Sequence, residues 1–284
     1  IDALDWMSPQ TKAAAKAKVD SLEVAVAYPS KWRDYSALEV RADDPVGNAE
    51  RAEMFEYRRN LAKLSQPVSH DEWYMTPQTI TAHNVPRENP LNYPPAILQP
   101  PFFDPKADDA VNYGAIGSVI GHEISHSFDN TGALFDAQGR LHNWWTKEDF
   151  AKFDAAGKAL SAQFSTYKPF PDLAVNGDLT LGENIADVAG IATALDGYRL
   201  SLQGREGRVI DGFTPEQRFF LGFAQAWRSK YRDAAMRNAI LTDVHAPGRY
   251  RAQTVRNIDA WYEAFGVQPG QALHLTPAQR VKVW

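Results

Sequence analysis

Residues 122–126 read His122-Glu123-Ile124-Ser125-His126, and no other stretch constrains the fold as strongly. Two imidazoles four positions apart on a helix project from one face and can share a single Zn²⁺. Neutral imidazole is a good zinc ligand. The glutamate between them sits close enough to act on a metal-bound water. The pentapeptide therefore asks for a helix with one polar face turned into a cleft. The chemistry it points to is metal-assisted hydrolysis, in the first instance of a peptide bond.

Composition sets the limits on the rest of that site. The 284 residues contain no cysteine, so thiol catalysis, disulfides and cysteine-ligated zinc are excluded. Any further metal ligand must be His, Asp or Glu. A formal net charge of −5, with no basic block, gives no sign of a nucleic-acid partner. No apolar run is long enough to span a bilayer. The first residues, Ile1-Asp2-Ala3-Leu4-Asp5-Trp6, lack the charged and apolar regions of a signal peptide and the initiator Met. They read as a start inside a longer polypeptide.

Cap signals order the chain. Ser8-Pro9 predicts a helix over 9–22, and the apolar positions Ala52, Phe55, Leu61 and Leu64 suit another over 48–64. Residues 28–44 read as loop. Eight prolines in 76–105 exclude continuous helix and predict short extended segments beside a cleft. The motif helix is expected over about 110–128, burying Ile116, Val119, Ile120 and Ile124. Asp136–Gly139 reads as a turn between short strands. Helices follow at 147–164, capped by Thr146, and at 181–202. Thr214-Pro215-Glu216-Gln217 and Thr276-Pro277-Ala278-Gln279 each combine a capping box with Pro at the first helical position. The balance is mainly α with a small β-sheet, an α+β class.

A catalytic zinc takes three protein ligands and leaves a position for water. The best third ligand lies in Leu181-Gly182-Glu183-Asn184-Ile185-Ala186-Asp187. Glu183 and Asp187 stand at i and i+4 on one helix face, so Glu183 could bind the metal while Asp187 supports a ligand histidine. Thr180 and Glu183 also fit a capping box, in which Glu183 would only serve a backbone N–H. The missing third ligand favours the metal. Asp129 reads as an ordinary residue at the end of the motif helix, with support of His126 as its alternative. His245, in the loop Asp243-Val244-His245-Ala246-Pro247-Gly248, could stabilise an oxyanion, and Arg251 could grip a substrate carbonyl or carboxylate.

These segments together resemble the neprilysin family of zinc endopeptidases. The resemblance rests on Ala96–Phe103, on Asn112–Gly117 leading into Val119–Asp129, on Asn143-Trp144-Trp145, on Gly182–Asp187, on Phe219–Trp227, on Asp243-Val244-His245 and on Val281-Lys282-Val283-Trp284. It implies a thermolysin-like catalytic domain at 76–284 with the motif on a central helix. Residues 1–75 would be the last part of a lid lobe, which a separate N-terminal fragment could complete. It implies one zinc per chain, held by His122, His126 and Glu183, with Glu123 as general base. Asp187 would orient the site, His245 would stabilise the oxyanion, and Arg251 would bind the substrate backbone. Thr81 and Ala82 would line the cleft. An apolar pocket of Ile97, Phe102, Val119, Ala226 and Trp227 would favour cleavage of oligopeptides before large hydrophobic residues. An exported bacterial protein is the implied setting.

The chain departs from the family pattern at three places. Thr81-Ala82-His83 stands where the family has Asn-Ala and an aromatic, so a single hydroxyl replaces an amide. Ala252-Gln253-Thr254 makes the loop after Arg251 one residue shorter. Most of the lid lobe is absent from these 284 residues. The alternative to a peptidase is therefore a catalytically impaired fragment that binds peptide or a partner lobe.

Overall fold

A local side-chain cap starts four of the ten α-helices among the described residues. In the computed structural model, which describes residues 1–67, 72–86 and 90–284, Ser8 accepts a hydrogen bond from the Thr11 N–H to open α1 (Pro9–Asp20). Strand β1 (Glu23–Val26) follows. Helix α2 (Pro45–Ala62) starts three residues before its expected position, because Asp44 accepts from the Gly47 N–H and Pro45 takes the first helical place. Asp43-Asp44-Pro45 is thus a helix start, not the end of a loop.

The proline-dense stretch supplies β2 (His83–Asn84) and β3 (Pro90–Tyr93), with a short 3-10 turn at Pro95–Ile97; its residues 87–89 lie outside the described residues. The sheet order is β1-β3-β2. β1 runs parallel to β3 with Val24 opposite Leu91, and β2 runs antiparallel to it with His83 opposite Asn92. β3 is buried along its whole length, and β2 is an edge. No strand is expected from the sequence at 23–26. Val24 and Val26 are 64% and 55% exposed, so no buried face marks it.

The expected motif helix is built in three pieces: α3 (Asp109–Asn112), a π-helical turn over Tyr113–Gly117, and α4 (Ser118–His126). Ile116 and Val119 are buried as expected, but Ile120 is 40% exposed. The inward face of α4 is set by Gly121, not by the isoleucine stripe. Helix α5 (Lys147–Ser165) begins at Thr146, which accepts from the Asp149 N–H. The preceding turn at Asp136–Gly139 is flanked by a single bridge, Phe135 to Leu141, instead of strands.

Helix α6 (Leu181–Ser201) runs through the middle of the molecule. Ile185 and Ile191 are fully buried against Leu160 and Phe164 of α5. Helix α7 (Pro215–Ala226), opened by the full Thr214–Gln217 capping box, adds Phe219 and Phe223. Each such side chain contributes about 1.5–3 kcal/mol by leaving water. Helices α8 (Asp233–Thr242), α9 (Gly248–Ala252) and α10 (Asp259–Phe265) complete the order. The Thr276–Gln279 box forms too, but yields one 3-10 turn only.

α4 and α6 cross with their backbones in contact. A Cβ on Gly121 would lie 2.6 Å from the Gly190 carbonyl oxygen, and a Cβ on Gly190 would lie 2.6 Å from the His122 nitrogen. Only glycine fits at either position. α1 joins the same core through Ala15, as does Met7 just before the helix. Trp6 stacks on Trp145 at 6.5 Å between ring centroids, and Trp284 packs between them and Phe153. Among the described residues no helix is long and apolar enough to cross a membrane. The mainly helical architecture with one small sheet agrees with the sequence expectation.

Candidate metal centre

The glycine crossing places the ends of α4 and α6 side by side, and the chemistry-bearing residues follow from it. His122 and His126 lie one turn apart on α4, with their Nε2 atoms 3.0 Å from each other. Glu183, in the first turn of α6, brings Oε2 to 3.2 Å from His122 Nε2 and 3.6 Å from His126 Nε2. Ligand atoms about 2.1 Å from one tetrahedral ion stand about 3.4 Å from one another. The three separations bracket that value. Glu183 Oε2 is buried, yet none of its neighbours meets it in hydrogen-bond alignment. The three donors aim at a common point, and two imidazoles with a carboxylate suit zinc.

Thr180 makes no side-chain cap, so the capping-box alternative for Glu183 does not form. The carboxylate points into the cleft. Burial would raise its pKa, but His122, His245 and His126 outweigh burial and hold it well below the usual carboxylate range.

Each histidine is fixed from behind. His122 Nδ1 lies 2.8 Å from Asp187 Oδ1, and His126 Nδ1 lies 2.7 Å from Asp129 Oδ2. Those bonds put the proton on Nδ1 and present Nε2 to the cleft. Asp129 is therefore not an ordinary end-of-helix residue: the geometry places it behind His126, and its Oδ1 also accepts from the Thr131 and Gly132 N–H groups at 2.7 Å each. Its three-residue spacing from His126 is the signal that could have found it. Burial lowers the His122 imidazolium, but Asp187 and Glu183 win and raise it to about 9. Burial likewise opposes the Asp187 carboxylate, yet Arg251 and His122 bring it down to about 2.

Arg251 is buried, 7% exposed. Its Nε and Nη2 donate to Asp187 Oδ2 and Oδ1 at 2.8 and 2.7 Å, and its guanidinium lies 3.7 Å from the Trp227 ring centroid. His245 brings Nε2 to 3.1 Å from Glu183 Oε2, while its Nδ1 lies 2.8 Å from Asp243 Oδ1. Glu183 is the main cause of the rise in the His245 pKa, against burial. Asp243 and Asn84 are supports that the sequence reading did not assign. Asn84, on β2, donates to the Glu123 carbonyl at 2.5 Å and to Ser127 Oγ at 2.9 Å, tying the sheet edge to α4.

These residues open on a cleft of 550 Å³. Glu123 lines it beside the three donors, as do Thr81 and Ala82. The Thr81 hydroxyl donates to the Ala82 carbonyl at 3.0 Å. Ile97, Phe102, Val119 and Trp227 form an apolar wall, with Phe102 edge-on to Trp227 at 6.4 Å. Ala226, the residue before Trp227, is buried and is not among the described residues lining the cleft.

The chain is similar to known proteins over its whole length. Residues 81–281 match the sequence family described as peptidase family M13. The chain is 36% identical over 288 residues to a neutral endopeptidase of Lactobacillus helveticus, covering 100% of this chain and 42% of that protein. It is 34% identical over 293 residues to an endothelin-converting enzyme homolog of Locusta migratoria, covering 99% of this chain and 40% of the relative. Among solved structures, a zinc metalloprotease of Mycobacterium tuberculosis in complex with an inhibitor superposes with a TM-score of 0.97 at 49% identity. That match covers 100% of this chain and 44% of the other. The chain thus spans about two fifths of the length of the relatives it matches.

Proposed function

The chain belongs to peptidase family M13, and on that premise we propose that it forms the catalytic portion of a zinc-dependent endopeptidase that hydrolyses oligopeptides on the amino side of large hydrophobic residues. The observation that carries the reading is the convergence of His122 Nε2, His126 Nε2 and Glu183 Oε2 on one point of a cleft with an apolar wall. One zinc would be held there by those three residues. When bound, zinc polarises the scissile carbonyl and makes water a nucleophile near neutral pH.

The protein's own groups do the rest. Glu123 accepts the proton of the attacking water and delivers it to the leaving amine. His245 donates to the carbonyl oxygen as negative charge develops there. Asp187 and Asp129 hold the two imidazoles with Nε2 forward. Arg251 commits Nε and Nη2 to Asp187, and Nη1 is the nitrogen that would take a substrate backbone carbonyl. The side chain after the scissile bond would enter against Ile97, Phe102, Val119 and Trp227, with Ala226 the buried residue before Trp227. An extended peptide would lie along Thr81 and Ala82, next to the open edge of β2.

Residues 1–75 would belong to a lid lobe, anchored to the catalytic domain at 76–284 by α1 and β1 and completed by a further N-terminal stretch. Export to the periplasm or the exterior of a bacterium is the setting this reading assigns. The test is mass-spectrometric mapping of cuts in a peptide library, for the parent chain and for Glu123→Gln. The expected result is cutting before Phe, Leu and similar residues, with turnover about 10²–10⁴-fold lower in Glu123→Gln while zinc stays bound. Undiminished turnover in Glu123→Gln would overturn the reading.

A further inference from the structure

Lys18 of α1 lies away from the cleft and is 0% exposed. Its Nζ donates to the Gly132 and Phe135 carbonyls, both at 2.6 Å, and sits over the rings of Phe128 and Trp144 at 5.4 and 5.7 Å. Among the described residues no carboxylate lies in ion-pair contact with it. Burying an ammonium group is costly where a Leu or Met would fill the same space without penalty. Carbonyls and ring faces offset part of that cost. The charges that attract Lys18 are those of Asp129 and Asp136. Burial brings its pKa down to about 8, so it remains mostly protonated at neutral pH.

Asp136 is already occupied by the Arg140 side chain and by the N–H groups of Gln138 and Arg140. Asp129 is different, because it shares Gly132 with Lys18. The Gly132 N–H donates to Asp129 while the Gly132 carbonyl accepts from Lys18. Gly132 is pressed against the end of α4: a Cβ there would lie 1.9 Å from the His126 carbonyl oxygen. The contacts run without a gap from Lys18 through Gly132 and Asp129 to His126.

This arrangement mirrors the one behind the other histidine. There His122 is backed by Asp187, and Asp187 by the buried cation of Arg251. We infer that Lys18 is the positioning residue of the second relay, holding Asp129 and thereby His126 in the geometry that binds zinc. The inference rests on the reading of His122, His126 and Glu183 as zinc ligands, and it makes α1 part of the metal site.

The test is zinc affinity measured by chelator competition on the full chain, for Lys18→Met, Asp129→Asn and the double variant, with circular dichroism as the check on folding. The expected result is a loss of about tenfold to a hundredfold in Lys18→Met, the size seen when an outer support of a ligand is removed. The same change should add little in the Asp129→Asn background, because the effect passes through that carboxylate. Affinity within twofold of the parent, or losses that multiply in the double variant, would overturn the inference. Lys18→Gln is measured alongside as a second neutral variant. If both neutral variants unfold while Asp129→Asn folds, Lys18 is structural only and the inference falls. A parent that binds zinc but cuts no peptide breaks the functional reading and leaves this one standing; a parent that binds no zinc breaks both.

Discussion

Helices α2 and α6 are of similar length, yet they live in opposite environments. α6 is embedded, with Ile185 and Ile191 fully buried, Glu183 turned into the cleft and Asp187 buried behind His122. α2 has no buried residue at all, and Val46, Tyr57 and Leu61 on it are 71%, 62% and 52% exposed. A cap and good helix formers suffice to make a helix. Only crossing another element gives its side chains chemistry, because a carboxylate in water is an ordinary acid. The same carboxylate against three imidazoles is held far from its usual pKa.

The sharpest way to break this contrast is at Asp187. Asp187→Ala leaves Arg251 buried without its partner, and a charge stranded in that way costs about 3–5 kcal/mol. Thermal and denaturant unfolding should show that loss, and zinc affinity should fall with it. Gly190→Ala is the next largest. It inserts a methyl where α4 and α6 backbones touch, and overpacking of this kind costs about 1–3 kcal/mol. Chelator competition should show the zinc site weakened although no ligand has changed.

A third test uses pH. His122 is raised to about 9 in the metal-free fold, mainly by Asp187 and Glu183 acting against burial. A raised histidine stabilises the fold fully below its unfolded value of 6.5, and that stabilisation is lost as pH rises through about 9. An incoming zinc must displace the same proton. Apparent affinity should therefore rise about tenfold per pH unit between 7 and 8.5 and level off above 9. Calorimetry in buffers of different ionisation enthalpy should show about one proton released near pH 7.5, and none released would contradict the raised value. The smallest effect belongs to α2. Leu61→Ser should change stability by less than about 0.5 kcal/mol, since no packing is lost; a larger change measured on these 284 residues would mean that α2 is covered after all.

The same contrast explains what could be read in the sequence. Ser8, Thr146 and Thr214 announce their helices correctly because a cap is a contact between neighbours in the chain. The motif is legible, and so is the Glu183–Asp187 pair proposed to complete it, because spacing on a helix is also local. Thr180 misleads for the opposite reason: its partner Glu183 is claimed by histidines 57 or more residues away. Ile120 faces outward because a glycine contact with α6 decides the rotation of α4. β1 is visible only through β3, far along the chain, and Lys18 looks like one of several lysines on an Ala-rich helix. What stayed hidden is what depends on contacts between segments far apart in the chain.

The stack of Arg251 on Trp227 has a consequence for how this cleft can change. Trp227 is a wall of the cleft, but it is also the surface on which the arginine behind Asp187 rests. Trimming it to admit a bulkier guest would loosen the support of His122 at the same time. Ile97, Phe102 and Val119 pack with Ile116 in a separate small cluster, so a change of shape among them leaves the support of His122 in place. Selection for a new diet would reshape one side of the cleft and leave the other side fixed.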